Sequence, residues 1–126
     1  MRPRSVLIVD DNPLIRKVVC EAFTREGDFK ICGEAHNGQD AIEKARFLCP
    51  ALIVMDLSMP VLNGLEATRI LKKLMPAVPV IMYSIHNTKI LERDAAAAGA
   101  AAVVSKYDAI SVLIGKTREL IKQIAA

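Results

Sequence analysis

A chain of 126 residues with a formal net charge of +3 makes one domain of ordinary size, and it lacks the concentrated basic stripe that nucleic-acid binding requires. With 52% apolar but only 4% aromatic residues, its core must be built from aliphatic side chains, yet no apolar run approaches the ~20 residues of a membrane span. The start, Met1-Arg2-Pro3-Arg4-Ser5, runs into a short apolar strand instead of a signal-peptide core, so a cytoplasmic location is expected.

The first strand spans about Val6–Val9 and ends in acid at Asp10-Asp11. Asn12 then caps a helix that has Pro13 at its first position. Ile15, Val18, Val19, Ala22 and Phe23 share one face of this helix, Arg16, Lys17 and Glu21 face outward, and Gly27 ends it. Residues Phe29–Ala35 alternate apolar and polar, the pattern of an edge strand. After the turn His36-Asn37-Gly38 comes a helix over about Gln39–Leu48, and Pro50 precedes the apolar run Ala51–Met55, which closes at Asp56. Asn63-Gly64 leads into a helix over about Leu65–Leu74. The strand Val80–Tyr83 ends at Ser84. Lys89–Ala98 reads as a helix closed by Gly99, and Ala102–Ser105 as a strand ending at Lys106. Asp108 is the predicted N-cap of a last helix whose inner face holds Ile110, Leu113, Ile114, Thr117, Ile121 and Ile124. The alternation is (βα)₅ with short loops. Right-handed crossovers then require a parallel five-stranded sheet covered on both faces, one domain over residues 1–126.

Asp10, Asp11 and Asp56 thus arrive together at one edge of the sheet, where open α/β folds bind ligands. Three clustered carboxylates repel one another and need a cation. Oxygen-only ligands with room for waters favour Mg²⁺. Ser84 and Lys106 bring a hydroxyl and an ammonium to the same edge, which makes a cradle for a phosphoryl group, and a carboxylate can be the nucleophile that accepts it. His36 and His86 read as loop residues. Cys20, Cys32 and Cys49, odd in number and without a CxxC, form neither a disulfide framework nor a zinc site and read as small buried hydrophobes.

Taken together, Val6-Leu7-Ile8-Val9-Asp10-Asp11, Met55-Asp56-Leu57-Ser58-Met59-Pro60, Asn63-Gly64, Ser84, Gly99-Ala100 and Lys106 resemble the receiver domain of two-component response regulators. The likeness covers essentially the whole chain. Asp11-Asn12-Pro13-Leu14-Ile15-Arg16 and Gly33-Glu34-Ala35 are most similar to the branch that usually carries a helix-turn-helix output. The resemblance implies a flavodoxin-like doubly wound sheet of order 2-1-3-4-5. It implies Asp56 as phosphoacceptor, Asp11 and Asp56 as direct Mg²⁺ ligands, Asp10 acting through water, and the Ser58 carbonyl completing the protein ligands. Lys106 would pair with the phosphoryl oxygens and Ser84 would move to bond the phosphoryl group. The phosphodonor would be a sensor histidine kinase or phosphotransfer protein. The response would expose a partner-binding face or a homodimer face built from the mixed charges of the last two helices.

Three positions depart from the family pattern. Val103 replaces the aromatic switch, Ile85 the small residue after the switch hydroxyl, and Tyr107 the proline after the lysine. Cis costs ~2.5–4 kcal/mol without proline, so a trans Lys106–Tyr107 bond is expected. Val103 and Ile85 are what favours the alternative of a pseudo-receiver, an interaction module with weak or no phosphorylation. A phosphatase of the haloacid dehalogenase type would place an acid–base Asp two residues after the nucleophile, where this chain has Ser58. The expectation is a switch and not an enzyme acting on other substrates.

Overall fold

Strands with no polar residue in their middle must be covered on both faces, and three runs here meet that condition. A computed structural model describes residues 2–86 and 88–125, and in it Val6–Val9, Leu52–Met55 and Val80–Ser84 are buried without a break. The elements are β1 Arg4–Val9, α1 Pro13–Arg25, β2 Phe29–Ala35, α2 Gly38–Leu48, β3 Leu52–Met55, α3 Gly64–Leu74, β4 Val80–Ser84, α4 Lys89–Ala98, β5 Ala102–Ser105 and α5 Ile110–Ala125. All five strands are parallel, in the order β2-β1-β3-β4-β5. This is the flavodoxin-like arrangement. β2, with its alternating pattern, lies at an edge, and its pairing with β1 shifts register between Val6 and Leu7.

Successive strand side chains point to opposite faces, and each face has its own core. Val6, Ile8, Leu52, Val54 and Ile81 pack with Val19 and Phe23 of α1 and Leu113 and Ile114 of α5. Leu7, Val9, Ile53, Met55 and Met82 pack with Ala41, Ile42 and Ala45 of α2 and Ala67 and Leu71 of α3. Each fully covered Leu or Ile contributes about 1.5–3 kcal/mol of transfer free energy. The helix alanines let α2 and α3 lie close to the sheet.

Local signals set the boundaries. Asn12 Oδ1 accepts from Leu14 N at 2.9 Å at the start of α1. Asn37 and Thr88 cap α2 and α4 in the same way. Gly99 closes α4 with φ of 102°, where only glycine avoids a steric cost. Gly64 begins α3 because an added Cβ would lie 2.0 Å from the Asp56 carbonyl oxygen.

Several sequence expectations need correction. Val18 is 54% exposed, because it lies beside the stripe of Ile15, Val19, Ala22 and Phe23 that faces the core. Arg16 does not simply face outward, since its guanidinium folds back onto the end of β1. Helix α5 begins at Ile110, so Ala109, not Asp108, precedes it; Asp108 N donates to Ser105 O in a turn. Ile124 is 58% exposed because α5 outruns the sheet. Cys20 and Cys32 are only partly buried, and Cys49 is exposed in a left-handed conformation after α2. No cis peptide occurs among the described residues, so Lys106–Tyr107 is trans as the missing proline implies.

Candidate functional site

Parallel strands all end on the same edge, and β1 and β3 are the adjacent pair from which the chain winds in opposite directions. The crevice above them is the topological switch point, and both strands end in acid there. Asp10 follows β1 and is 3% exposed, Asp56 follows β3 and is 7% exposed, while Asp11 lies at the exposed mouth. Ligand-capable oxygens of the three lie within 4.8 Å of one another. Their shared main-chain anchor is Asp56 N donating to Val9 O at 2.9 Å.

Lys106 crosses from the end of β5 to meet them. Its Nζ donates to Asp10 Oδ2 at 2.7 Å and to Asp56 Oδ1 at 3.0 Å, and its side chain is 12% exposed. The backbone holds it there, because Lys106 N donates to Ser84 O. Asp10 Oδ1 also takes Asn12 N, and Asp56 Oδ1 takes Leu57 N, each at 2.9 Å. Both bonds to Asp56 fall on Oδ1, so Oδ2 has no hydrogen bond from any described residue.

Burial pushes the Asp56 carboxyl up to about 6; the bond from Lys106 opposes this and the neighbouring Asp10 and Asp11 charges add to it. Burial disfavours the Lys106 ammonium, but its bonds to Asp10 and Asp56 outweigh that and hold it above its ordinary range. Three carboxylates against one ammonium leave the cluster with excess negative charge. An all-oxygen set of this size and charge fits a hard divalent cation, Mg²⁺ in particular.

Of the residues singled out from the sequence, Asp10, Asp11, Asp56 and Lys106 come together. Ser84 is 1% exposed, and its Oγ accepts from His86 N at 3.0 Å, so in this state the hydroxyl caps its own loop. Ser58 is exposed, in the loop two residues past Asp56. Ile85 is 52% exposed just beyond β4, and Val103 packs partly against the core of the α2/α3 face. His36 is exposed, with Nδ1 at 2.9 Å from Asp40.

Two neighbours of the site were not apparent in the sequence. Arg16 Nη1 donates to Asp10 O at 2.7 Å and its Nε pairs with Glu34 at 3.2 Å, which fixes the main chain at the end of β1. Its place one turn into α1, six residues after Asp10, was the available signal. Tyr83, hidden inside an apolar strand run, has its ring 5.9 Å from Lys106 Nζ. Past the site, Val61 adopts φ of 68° in a tight turn where Leu62 N donates to Pro60 O.

Known proteins share the fold. The family model described as the response regulator receiver domain matches residues 6–118. The protein-glutamate methylesterase/protein-glutamine glutaminase of Nocardioides sp. is 33% identical over 120 residues, covering 94% of this chain and 32% of that protein. The chain spans 22–34% of the length of curated relatives with that name. The two-component response regulator of the LuxR family from Aurantimonas sp. SI85-9A1 superimposes with a TM-score of 0.92 at 25% identity, covering 96% of this chain and 86% of that one. The CheX-CheY-BeF3-Mg complex from Borrelia burgdorferi gives 0.90 at 25% identity, over 95% and 90% of the two chains.

Proposed function

The chain belongs to the response regulator receiver domain family, and from that premise we propose that it takes a phosphoryl group on Asp56 and changes a partner-binding face in response. Its homology to CheY-like phosphoacceptor domains covers residues 6–118. The single observation that carries the site assignment is a nearly buried carboxylate, Asp56, in one cluster with Asp10, Asp11 and Lys106. Nothing in the geometry favours the pseudo-receiver alternative, since a module without the chemistry has no need of this cluster. In this reading residues 1–126 form one receiver domain.

The chemistry follows from the atoms present. Asp56 Oδ2, free of hydrogen bonds from the described residues, attacks phosphorus and forms the acyl phosphate. The bond from phosphorus to the donor nitrogen breaks, and its electron pair leaves with the donor, a histidine kinase or phosphotransfer protein. Lys106 exchanges its bond to Asp56 for one to a phosphoryl oxygen, so that oxygen's charge is met by an ammonium already in place. Asp11, Asp56 and the Ser58 carbonyl would hold Mg²⁺, with Asp10 acting through water. Bound there, the cation would supply positive charge to neighbouring oxygens so that two anions can meet. Ser84 is the hydroxyl that would leave His86 N to bond the phosphoryl group and move the loop after β4. Relatives bearing this domain are named both as methylesterases and as LuxR-family regulators, so the receiver is the shared part. The output face, including a salt-sensitive dimer through the mixed charges of α4 and α5, is the chain's own contribution.

The test is uptake of label from phosphoramidate by the purified chain with Mg²⁺. Uptake that EDTA abolishes and Asp56→Asn removes supports the reading. Uptake indifferent to either contradicts it.

A further inference from the structure

Lys106 is the one cation in the cluster, yet lysine is a flexible four-carbon stem with a strongly hydrated head. Two of its three N–H directions are taken by Asp10 and Asp56. Something must stop the ammonium from turning to solvent or to Asp108, the exposed acid two residues on. The structure places a ring there. Tyr83, on β4 beside Val104 of β5, is 7% exposed, and its ring centroid lies 5.9 Å from Lys106 Nζ.

We propose that Tyr83 is the positioning residue for Lys106: its ring backs the ammonium and holds it across the crevice toward Asp56. The inference rests on the phosphoacceptor reading above and adds a residue to it. The ring is rigidly held. It belongs to the core on the α1/α5 face with Ile81, Val104, Leu113 and Ile114, so a change in what Lys106 faces is felt on that side. Val103, where the family has an aromatic residue, packs on the opposite face. The aromatic ring beside Lys106 is thus on β4 and the α1/α5 face, not at position 103 of β5. Lys106, Asp10 and Asp108 are the charges that bear on the Tyr83 phenol, whose dissociation burial disfavours. Quadrupole attraction to a partly desolvated ammonium is worth roughly two- to thirty-fold in an equilibrium. It needs the ring face and not the hydroxyl.

The test compares Tyr83→Phe and Tyr83→Leu by the maximal rate of phosphoryl uptake from phosphoramidate and by the Mg²⁺ concentration giving half that rate. Phe keeps the ring and should stay within about two-fold of the unaltered protein. Leu should be slower by about ten-fold, with half-saturating Mg²⁺ no higher than in the unaltered protein, because the carboxylates remain. A second measurement does not depend on Leu folding. The chain has no tryptophan and two tyrosines, so in Tyr107→Phe all tyrosine emission comes from Tyr83. Mg²⁺ with beryllofluoride should change that emission as Lys106 shifts its pairing. Equal rates for folded Leu and Phe variants overturn the proposal; if Leu does not fold, unchanged emission in Tyr107→Phe overturns it. Failure of the unaltered protein to take up phosphoryl overturns the phosphoacceptor reading, and this inference with it.

Discussion

Replacing Lys106 with methionine removes a charge and leaves the stem. The acids Asp10 and Asp56, 3% and 7% exposed, then lose the partner bonded to them at 2.7 and 3.0 Å. Each contact has a gross attraction of about 6 kcal/mol at an effective dielectric near 20. Most of it offsets the desolvation of the ions, and breaking such a buried pair by deleting one member costs about 3 kcal/mol. For a domain of this size that is roughly 10 °C in Tm. The cost should be seen in EDTA. Saturating Mg²⁺ should recover most of it, because the three carboxylates go from a net charge of about −2 with the lysine to about −3 without it, and a divalent ion binds the more negative cluster more tightly. Urea melts of both proteins, with EDTA and with Mg²⁺, measure both effects. Equal stability in EDTA would refute the pairing. A loss that Mg²⁺ does not reduce would refute the assignment of these acids to a cation.

Gly64→Ala should destabilise the domain by about 3 kcal/mol and slow phosphoryl uptake, since its Cβ would press on the Asp56 carbonyl at 2.0 Å in a packed region; a denaturant melt and an uptake assay check both. Val61→Asn should stabilise by about 1 kcal/mol, because a β-branched residue is strained at φ of 68° where Asn is tolerated; an unchanged melting midpoint would count against that strain. The hydrogen bond from Arg118 holds the Asp28 carboxyl below its ordinary range. That contribution is present above the unfolded carboxylate range, about pH 4, and is lost as pH falls through the lower folded value. Arg118→Met should therefore lower stability at pH 6, and the difference should close as pH falls below the ordinary carboxylate range.

The architecture was legible because aliphatic runs and their terminating acids are short-range signals. β3 and Asp56 are adjacent in sequence, and parallel winding brings Asp10 beside them. Asn12 and Gly99 likewise act through their own backbone neighbours. What was hidden depends on reach between elements. Arg16 counts as an outward charge on a helical projection, but its long side chain bonds the Asp10 carbonyl. Tyr83 looked like another apolar strand residue, and its contact with Lys106 requires knowing that β4 pairs β5. Val18 and Ile124 were counted on their helical stripes, yet Val18 flanks the core-facing stripe of α1 and Ile124 lies near the end of α5, and both are exposed. The start of α5 was misplaced because the Asp108–Ser105 turn uses a main-chain bond, not the Asp side chain. Ser84 is at the expected strand end, while its present partner, His86 N, is set by loop geometry.

Asp56 supplies the carboxylate oxygen of the proposed acyl phosphate, and this assignment is directly measurable. Borohydride reduces an aspartyl phosphate to homoserine, a mass change that peptide mass spectrometry assigns to one residue. After phosphoramidate treatment in Mg²⁺, the account predicts that mark on Asp56 and on no other carboxylate, and none in EDTA. A mark on Asp10 or Asp11, or no mark in a chain that still takes up label, would contradict it.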